Sequence, residues 1–578
     1  MSVKLDNGIQ LDILATDIKA ELAANEAKFR FQGIHNEPLA NDLLMAQVSL
    51  DVEHGVQIIG DGFQMLAQTT GTPENPIDIG RCPDNNESYR IYSSTAAKRY
   101  YNTLVIEHAD GYVLFGFTSC LRFAGYFEIE AIQTGYNILI RIDGEHTLPQ
   151  HWDTNTLESV CVLTGDSLST LYTQYAHLVN AHHPTRSGVL KDTPIGWCSW
   201  YAYYAEVNER NVHANVARMS DKLEHLEWVL LDDGYQAYMG DWLTPSEKFS
   251  SGVEELIHWI AQQGKKPAIW MAPFIAEPNS ELFKNHPDWF VRNDVGEPLK
   301  AEDVTYGGWR CTPWYVLDTS HPDVLEHLEA TVKIMAEQWG VQMFKLDANY
   351  WGTLKGKRYR EGVTGVEAYR MGMEAITRGA GKALILGCNA PMWPSLGLVD
   401  AMRVSDDVER NAHRFEQIAK ETFYRSWQHR KLWQIDPDCV ALTSLADQHA
   451  DQRAYDFHRT AVLASSGMLL SGDPLPEISD YARSSFNKLI KRVKHNPNSA
   501  KFTSLTLNHA FLKLTLHNDL HCLFNFDQNE KEHTLTSDHP VYWYDFWTGK
   551  RLCEEPMQLL QVGIDKGLNA RAILTSDK

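Results

Sequence analysis

The sequence lacks the marks of several protein classes. Its nine cysteines are an odd number, and they lie scattered along 578 residues without a CxxC pair. Small secreted domains use a denser framework, so we expect free thiols, a reducing compartment and a cytoplasmic location. No apolar stretch of about 18 residues occurs, and the opening "MSVKLDNGIQLDIL" carries charges in place of an apolar leader core. We therefore expect neither a membrane span nor a signal peptide.

Positive charge is also scarce. Lys and Arg total 53 against 75 for Asp and Glu, a net charge of −22, and no basic patch stands out. Such a surface repels nucleic acid and anionic membranes, so neither is expected as a partner. The 24 histidines form no HExxH motif and no tight Cys/His spacing, and "GAGK" lacks the spacing of a phosphate loop. We expect no metal and no cofactor, and a small neutral substrate; the oligomeric state is left open.

The chain is long enough for several domains, and its composition, 43% hydrophobic and 11% aromatic, is that of a globular protein. Residues 1–185 are rich in short β-prone runs such as "GYVLFGFTSC" and "GYFEIEAI". These runs predict an N-terminal β-sandwich. Alternating polar and apolar residues return in 498–578, which predicts a small C-terminal antiparallel β domain.

Between these segments, residues 190–493 alternate short apolar runs with amphipathic stretches. Eight runs predict strands with helices between them: "PIGWCSW", "EWVLLDD", "KPAIWMA", "VQMFKLD", "ALILGC", "DAMRVSDD", "KLWQID" and "GMLLSGD". Eight such units favour a closed (β/α)₈ barrel over the alternative, an open doubly wound sheet. The fold class is thus α/β, a central barrel flanked by two β domains.

Acidic and aromatic side chains collect where these strands end. The active site of a (β/α)₈ barrel is built at the carboxyl ends of the strands. Paired carboxylates with aromatic platforms and no cofactor motif point to chemistry on a glycosidic bond. In "FKLD", Lys345 and Asp347 are two residues apart and share a strand face. The ammonium would favour an ionised carboxylate, although a rim salt bridge would leave the same pattern.

Six motifs together resemble glycoside hydrolase family 36, in particular its compact bacterial α-galactosidases. In chain order they are "GWCSWYAYY", "LLDDGYQAYMGDWL", "AIWMAPF", "FKLD", "LGCNAP" and "MRVSDDV". The resemblance implies a retaining exo-glycosidase that removes terminal α-galactosyl residues from neutral oligosaccharides by double displacement.

The resemblance also implies roles for individual residues. Asp347 corresponds to the nucleophile, and Asp407, four residues after Arg403, to the general acid/base. Asp407 would have to start protonated, and a negative neighbour such as Asp406 would help. The other residues match contacts to the sugar: Asp232 and Asp233 for the 4- and 6-hydroxyls, Trp197 and Trp200 for an aromatic wall, and Trp270, Lys345, Cys388, Asn389 and Arg403 around the ring.

Two departures from the family pattern bear on specificity. Asn389 stands where relatives often have Gly or Ser, near C2 of the sugar, and "DGFQMLAQ" (61–68) replaces a "GWQSW"-like motif whose loop reaches the site. An α-N-acetylgalactosaminidase and a transglycosylase of the raffinose-synthase type therefore stay open as alternatives. A non-catalytic carbohydrate-binding protein is disfavoured, since both carboxylates are present.

Overall fold

A computed structural model describes residues 2–32, 38–186, 192–221, 223 and 225–577. The chain divides into two compact units, each made of three segments. The first unit consists of Met1–Gly188, Asp233–His258 and Ala268–Met402. The second unit consists of Val189–Asp232, Trp259–Pro267 and Arg403–Lys578. The predicted boundary between the first two domains, at 185–190, falls largely outside the described residues. The division into three domains at these boundaries stays a prediction.

The N-terminal part of the first unit is an antiparallel sheet of thirteen strands. The strands are β1 Ser2–Lys4, β2 Gln10–Ile13, β3 Ile18–Ala23, β4 Glu26–Phe31, β5 Leu43–Leu50, β6 Gln57–Asp61, β7 Gln68–Thr72, β8 Asn75–Asp78, β9 Tyr100–His108, β10 Gly111–Phe117, β11 Gly125–Ile132, β12 Gly135–Ile142 and β13 Thr156–Gly165. Strand β4 alternates half-buried and buried positions, the pattern of a strand with one covered face. Helix α1, Leu168–His182, follows the sheet.

Eight short parallel strands make up the second sheet. They are β14 Ile195–Cys198, β15 Trp228–Leu231, β16 Lys266–Met271, β19 Met343–Leu346, β20 Leu384–Gly387, β21 Ala401–Arg403, β22 Gln434–Asp436 and β23 Leu469–Ser471; a separate ribbon pairs β17 Ile275–Ala276 with β18 Tyr315–Val316. Nearly every residue in the eight strands is buried. Burial on both faces explains why they read as continuous apolar runs.

The strand order confirms the predicted barrel. From β14 to β22, each barrel strand lies beside the barrel strand that precedes it in the chain, and the last strand, β23, pairs with the first, β14. Just after β22, Val440 pairs in parallel with Ser471 of β23, which closes the circle. An open doubly wound sheet would reverse its strand order at a switch point, so that alternative is excluded.

The α-helices lie between and after these strands. They are α2 Trp200–Tyr203, α3 Glu209–Asp221, α4 Val253–Gln262, α5 Glu281–Asn285, α6 Ala301–Val304, α7 Pro322–Lys333, α8 Gly365–Ala380, α9 Ala412–Arg425, α10 Gln452–Ser465 and α11 Asp480–His495. Helix α8 begins with a capping box in which Thr364 and Glu367 satisfy each other's backbone N–H groups. Within the described ranges, no helix combines the length and apolarity that a membrane crossing requires.

The C-terminal sheet has six antiparallel strands, as the sequence predicts for this region. They are β24 Lys501–Phe502, β25 His509–Lys513, β26 Asp519–Asn525, β27 Lys531–Asp545, β28 Met557–Ile564 and β29 Asn569–Ser576. Its core is centred on Trp543, which is fully buried among Leu523, Val541, Val562 and Ile573.

Three histidines lie together on this sheet. His509 and His521 are stacked with a ring nitrogen contact of 3.1 Å, and the His533 ring lies 6.4 Å from that of His509. Burial, followed by the neighbouring histidine, lowers the pKa of His509 and of His521 to about 4. Since unfolding restores ordinary pKa values near 6.5, the unfolded chain binds more protons between these limits.

We therefore expect stability to be complete above pH 6.5 or so and to fall as the pH drops toward about 4. His521, which is 4% exposed, should account for roughly 1–3 kcal/mol of the loss. Thermal unfolding at a series of pH values should show a shallower acid decline for His521→Phe, which fits beside Phe511 and Trp543. His517→Gln, at an exposed position, is the control, and equal slopes in all three proteins would contradict the prediction.

Candidate active site

The sequence-predicted site residues fall in both units. The first unit holds Asp233, Trp270, Lys345, Asp347, Cys388 and Asn389, and the second holds Trp197, Trp200, Asp232, Arg403 and Asp407. All of them lie within, or directly after, the carboxyl-terminal part of a barrel strand or at the start of the following loop.

Asp347 directly follows β19 and is held by three N–H donors. The indole of Trp270 donates to Oδ2 at 2.9 Å, and the side-chain amide of Asn389 donates to Oδ1 at 2.8 Å. The third donor is the backbone N–H of Ala348, at 2.7 Å from Oδ1. Side-chain exposure is small, since the residue as a whole is 7% exposed. Donors on both oxygens match a carboxylate, which only accepts, and they fix its orientation.

The backbone around this carboxylate adopts an uncommon conformation. Ala348 and Asn389 both have positive φ angles, 52° and 40°, although neither is glycine. Each such residue costs of order 1–3 kcal/mol and persists only where its surroundings impose it. Here the Asn389 carbonyl accepts the Tyr350 N–H at 2.7 Å, which ties the two loops together. The strained turns place the Ala348 N–H and the Asn389 amide on Asp347.

Two further predicted residues sit beside this carboxylate in the barrel. Lys345 lies on β19 two positions before Asp347 and is 5% exposed. Alternation along the strand gives the two side chains the same face. Cys388 follows β20, and its backbone N–H donates to the Leu346 carbonyl at 2.7 Å. Both residues are buried: Lys345 lies on the strand that precedes Asp347, and Cys388 follows the strand paired with it.

Asp233 is bound by residues that the sequence did not single out. Arg310 donates through Nε to Oδ2 at 2.7 Å and through Nη2 to Oδ1, a bidentate pair. Gln236 adds a donor on Oδ1 at 2.7 Å, and the Trp309 indole lies 3.4 Å from Oδ2. Burial by itself would lower the pKa of Arg310. The hydrogen bond with Asp233 and the negative charge of that carboxylate outweigh burial, so the pKa of Arg310 is raised above its ordinary value. A sugar hydroxyl at Asp233 would therefore have to share it with Arg310.

In the second unit, Asp407 is held by Arg403. The guanidinium Nη2 donates to Asp407 Oδ1 at 2.8 Å and to Asp438 Oδ2 at 2.7 Å. Arg403 and Asp438 are buried, whereas the Asp407 side chain is 47% exposed. The Tyr201 hydroxyl also donates to Asp438, at 2.5 Å. The buried Asp438 thus balances the charge of Arg403, while Asp407 keeps a solvent-facing side.

Asp406, although adjacent in sequence, has a different environment. It is 2% exposed, and it accepts from Arg414 at 2.6 Å and from Gln417 at 3.0 Å. Its backbone N–H donates to Glu421, whose pKa is raised to about 7 by burial and then by the charge of Asp406. Asp406 also accepts the backbone N–H of Asp407 at 2.7 Å, and its carboxylate is shared between that N–H, Arg414 and Gln417. The expected help of Asp406 in protonating Asp407 stays a prediction.

The remaining predicted residues are Trp197 on β14, Trp200 at the start of α2 and Asp232 directly after β15. Trp197 is fully buried, and its indole donates to the Asp473 carbonyl at 3.0 Å. Its part in an aromatic wall stays a prediction. Trp200 is partly exposed. Asp232 is 2% exposed; its N–H donates to the Ser199 hydroxyl at 2.9 Å, and the Cys198 thiol lies 3.5 Å from its carboxylate.

In the described part of the chain, no cluster of three or more His, Cys, Asp or Glu side chains is arranged to hold a metal ion. All nine cysteines, each of them among the described residues, are free thiols, as predicted.

Comparison with known proteins agrees with the motifs. Residues 153–377 match the model of the family described as Melibiase. Among curated relatives, α-galactosidase AgaA of Geobacillus stearothermophilus is 27% identical over 201 residues, 34% of this chain and 26% of the relative. The bifunctional α-galactosidase/sucrose kinase AgaSK of Mediterraneibacter gnavus is 23% identical over 240 residues, 39% and 24% of the two chains. The matched segment thus spans about a quarter of these relatives' length.

Similarity in fold extends much further along the chain. The α-galactosidase TtGalA of Thermus thermophilus, solved with p-nitrophenyl α-D-galactopyranoside, has a TM-score of 0.66 at 19% identity and covers 90% of this chain and 97% of its own. The GH36 α-galactosidase AgaA has a TM-score of 0.64 at 14% identity, with 98% and 81% covered. The similarity in sequence covers the matched segment, and the similarity in fold covers most of the chain. The chain is thus similar to the bacterial α-galactosidases of glycoside hydrolase family 36.

Proposed function

We propose that the protein is a retaining exo-α-galactosidase that hydrolyses terminal α-galactosyl residues of small neutral oligosaccharides. The observation that carries the proposal is the environment of Asp347: a carboxylate at the end of a barrel strand, with three N–H donors fixing it. The similar enzymes TtGalA and AgaA have been crystallised with stachyose and raffinose respectively, both galactosides. The net charge of −22 also suits a neutral substrate.

In the first step, Asp347 attacks the anomeric carbon as the bond to the leaving-group oxygen breaks. Asp407 donates its proton to that oxygen, so that the leaving group departs as a neutral alcohol. The product of this step is a β-galactosyl ester of Asp347. Trp270 and Asn389, which hold the carboxylate, set its line of attack, and Lys345 supplies positive charge on the same strand face.

In the second step, Asp407, now ionised, takes a proton from water, and the water oxygen attacks the anomeric carbon. The ester bond breaks, Asp347 leaves as carboxylate, and galactose is released with its α configuration retained. The half-exposed position of Asp407 suits both tasks, because water and the leaving group approach from the solvent side. Arg403 keeps its carboxylate oriented, with its own charge balanced by Asp438.

Recognition of galactose is assigned to Asp232 and Asp233. Galactose differs from glucose in the axial 4-hydroxyl, and a charged acceptor discriminates by about 1.5–3 kcal/mol per hydrogen bond. Both carboxylates are at most 2% exposed, so an unmatched sugar would leave one without its hydroxyl partner in a dry site. Arg310 holds Asp233 in place and can itself donate to a neighbouring hydroxyl.

The proposal is tested by following hydrolysis with proton NMR. We expect p-nitrophenyl α-galactoside to release α-galactose first, with the β anomer growing only by mutarotation. The matching α-glucoside should be hydrolysed at least about 100-fold more slowly, and the N-acetyl-α-galactosaminide should likewise be a poor substrate. β-Galactose as the first product would show inversion, and faster turnover of the N-acetyl sugar would assign the other glycosidase activity. Wild-type protein that hydrolyses none of the three would refute the proposal.

A further inference from the structure

A buried loop of the N-terminal sheet is bonded to the barrel within the first unit. It consists of residues 61–68, which join β6 to β7, and all of them are buried. One hydrogen bond runs from the Met65 backbone N–H to the Ala390 carbonyl at 3.1 Å, and a second runs from the Met392 backbone N–H to the Phe63 carbonyl at 2.9 Å. The loop therefore fixes the chain shortly after β20.

The chain segment that this loop fixes also holds the proposed nucleophile. Asn389, directly before Ala390, has a positive φ of 40° and donates its side-chain amide to Asp347 Oδ1 at 2.8 Å. Its carbonyl accepts the Tyr350 N–H, and the Phe63 ring packs edge-on against the Tyr350 ring with centroids 6.2 Å apart. A positive φ outside glycine persists only where the surroundings impose it. Part of these surroundings comes from the N-terminal sheet.

A buried carboxyl group between β8 and β9 holds the loop in turn. Asp84, 4% exposed, accepts the Phe63 backbone N–H on Oδ2 at 2.7 Å and the Gln64 side-chain amide on Oδ1 at 3.2 Å. The same amide donates to the Cys82 carbonyl at 2.9 Å, and Gln64 Oε1 accepts the Leu66 N–H at 2.8 Å. Because a buried N–H without an acceptor is unfavourable, these hydrogen bonds select one shape of the loop.

We propose that Asp84 is a positioning residue for the nucleophile. Through loop 61–68 it sets the conformation of Asn389, and the Asn389 amide sets the orientation of the Asp347 carboxylate. The inference rests on the proposed function, in which Asp347 attacks the anomeric carbon. A misplacement of about 1 Å at a reacting atom can lower a rate by about 100-fold, even when the change lies far from the chemistry. Asp84 thus acts on the reaction through contacts within the protein and not through the sugar.

A double-mutant cycle tests whether Asp84 acts through Asn389. Asp84→Ala removes both acceptors of the loop, and Asn389→Gly removes the amide donor while still allowing a positive φ. We expect kcat/KM for p-nitrophenyl α-galactoside to fall by about ten-fold in Asp84→Ala and by about 30-fold in Asn389→Gly. Added to Asn389→Gly, Asp84→Ala should change kcat/KM by no more than about two-fold, since the contact through which it acts is already gone.

Glu158→Ala is the control for structural damage. Glu158 is a fully buried carboxyl group of the same sheet, and like Asp84 it accepts backbone N–H groups of a loop, here those of Leu121, Arg122 and Phe123, each at 2.9 Å. Glu158→Ala should lower the unfolding temperature as Asp84→Ala does, but leave kcat/KM within about two-fold of the wild type.

Two milder variants carry the same test if Asp84→Ala does not fold. Asp84→Asn keeps an acceptor for the Phe63 N–H and should stay within about three-fold of the wild type in kcat/KM. Gln64→Met keeps most of the side-chain volume but removes its hydrogen bonds. It should lower kcat/KM by about five-fold in the wild type and leave it nearly unchanged in Asn389→Gly.

Equal losses from Asp84→Ala in the wild type and in Asn389→Gly would overturn the inference, and so would a loss no larger than that of Glu158→Ala. Either result would leave the hydrolase intact. Wild-type protein that cleaves no α-galactoside would instead refute the proposed function, and the role of Asp84 with it.

Discussion

Replacing Asp347 by alanine is expected to lower kcat on α-galactosides by about 10⁴-fold or more, with little change in folding. The carboxylate accepts three N–H groups, from Trp270, Asn389 and the Ala348 backbone, and alanine offers those donors no acceptor and the anomeric carbon no nucleophile. The Ala variant keeps the strand and leaves a small space at its end. Activity measured on p-nitrophenyl α-galactoside, with unfolding followed by circular dichroism, separates lost chemistry from lost structure.

Azide distinguishes a nucleophile from a residue that only positions others. A small anion can enter the space left by Asp347→Ala and attack the anomeric carbon from the same side. The bond to the nitrophenolate then breaks, and the product is β-galactosyl azide, of inverted configuration. We expect azide to restore turnover of the activated substrate and to give this product by NMR.

A matched control is available in the same unit. Asp400 is a buried carboxylate that precedes β21 at the amino end of the barrel, where it pairs with Arg186 and accepts the Ile385 N–H. That end of a barrel contributes to stability and not to catalysis. Asp400→Asn should lower the unfolding temperature with kcat nearly unchanged. If Asp347→Ala instead retained a substantial part of wild-type kcat without azide, the nucleophile would have to be another residue.

The barrel could be predicted from the sequence because its signal is local and repeated. A parallel strand buried on both faces needs a continuous apolar run, and all eight predicted runs contain one of the eight strands. The candidate site residues Asp347, Asp233 and Asp407 stand one, two and four residues after such strands, and their roles, which the family resemblance implies, stay predictions. The local sequence pattern alone predicts that such a residue lies at the end of a strand, whatever it contacts in the folded protein.

Contacts made by residues on long loops could not be predicted from the local sequence pattern. Arg310 reaches Asp233 across 77 positions of sequence, and nothing in "GGWRCTP" itself indicates a carboxylate partner. The signal that was available is the glycine pair before Trp309, which marks a tight turn carrying an aromatic. Trp197 stands in a motif at a strand end and is fully buried, and a barrel interior must also be filled with large side chains, so a motif position alone does not separate a sugar contact from core packing.

Asp407→Ala is expected to have an effect that depends on the leaving group. The sugar alcohol released from raffinose needs a proton as it departs, whereas nitrophenolate is stable without one. We expect kcat/KM to fall by about 10³-fold on raffinose, and kcat on p-nitrophenyl α-galactoside to fall much less in the first, bond-breaking step. Rapid-mixing measurement of the nitrophenolate burst isolates that step.

Asp406→Asn is the comparison that gives this result its meaning. Asp406 neighbours Asp407 in sequence, but it is buried and paired with Arg414. Removing its charge leaves Arg414 with Glu409 as its other acidic partner, so the variant should lose stability and affect both substrates alike. An exposed acid that moves protons and a buried one that holds a loop thus give different patterns across two substrates. The opposite result would be that Asp406→Asn shows the leaving-group dependence and Asp407→Ala does not. Asp406 would then be the general acid/base, and Asp407, half-exposed beside Arg403, would have a positioning role only.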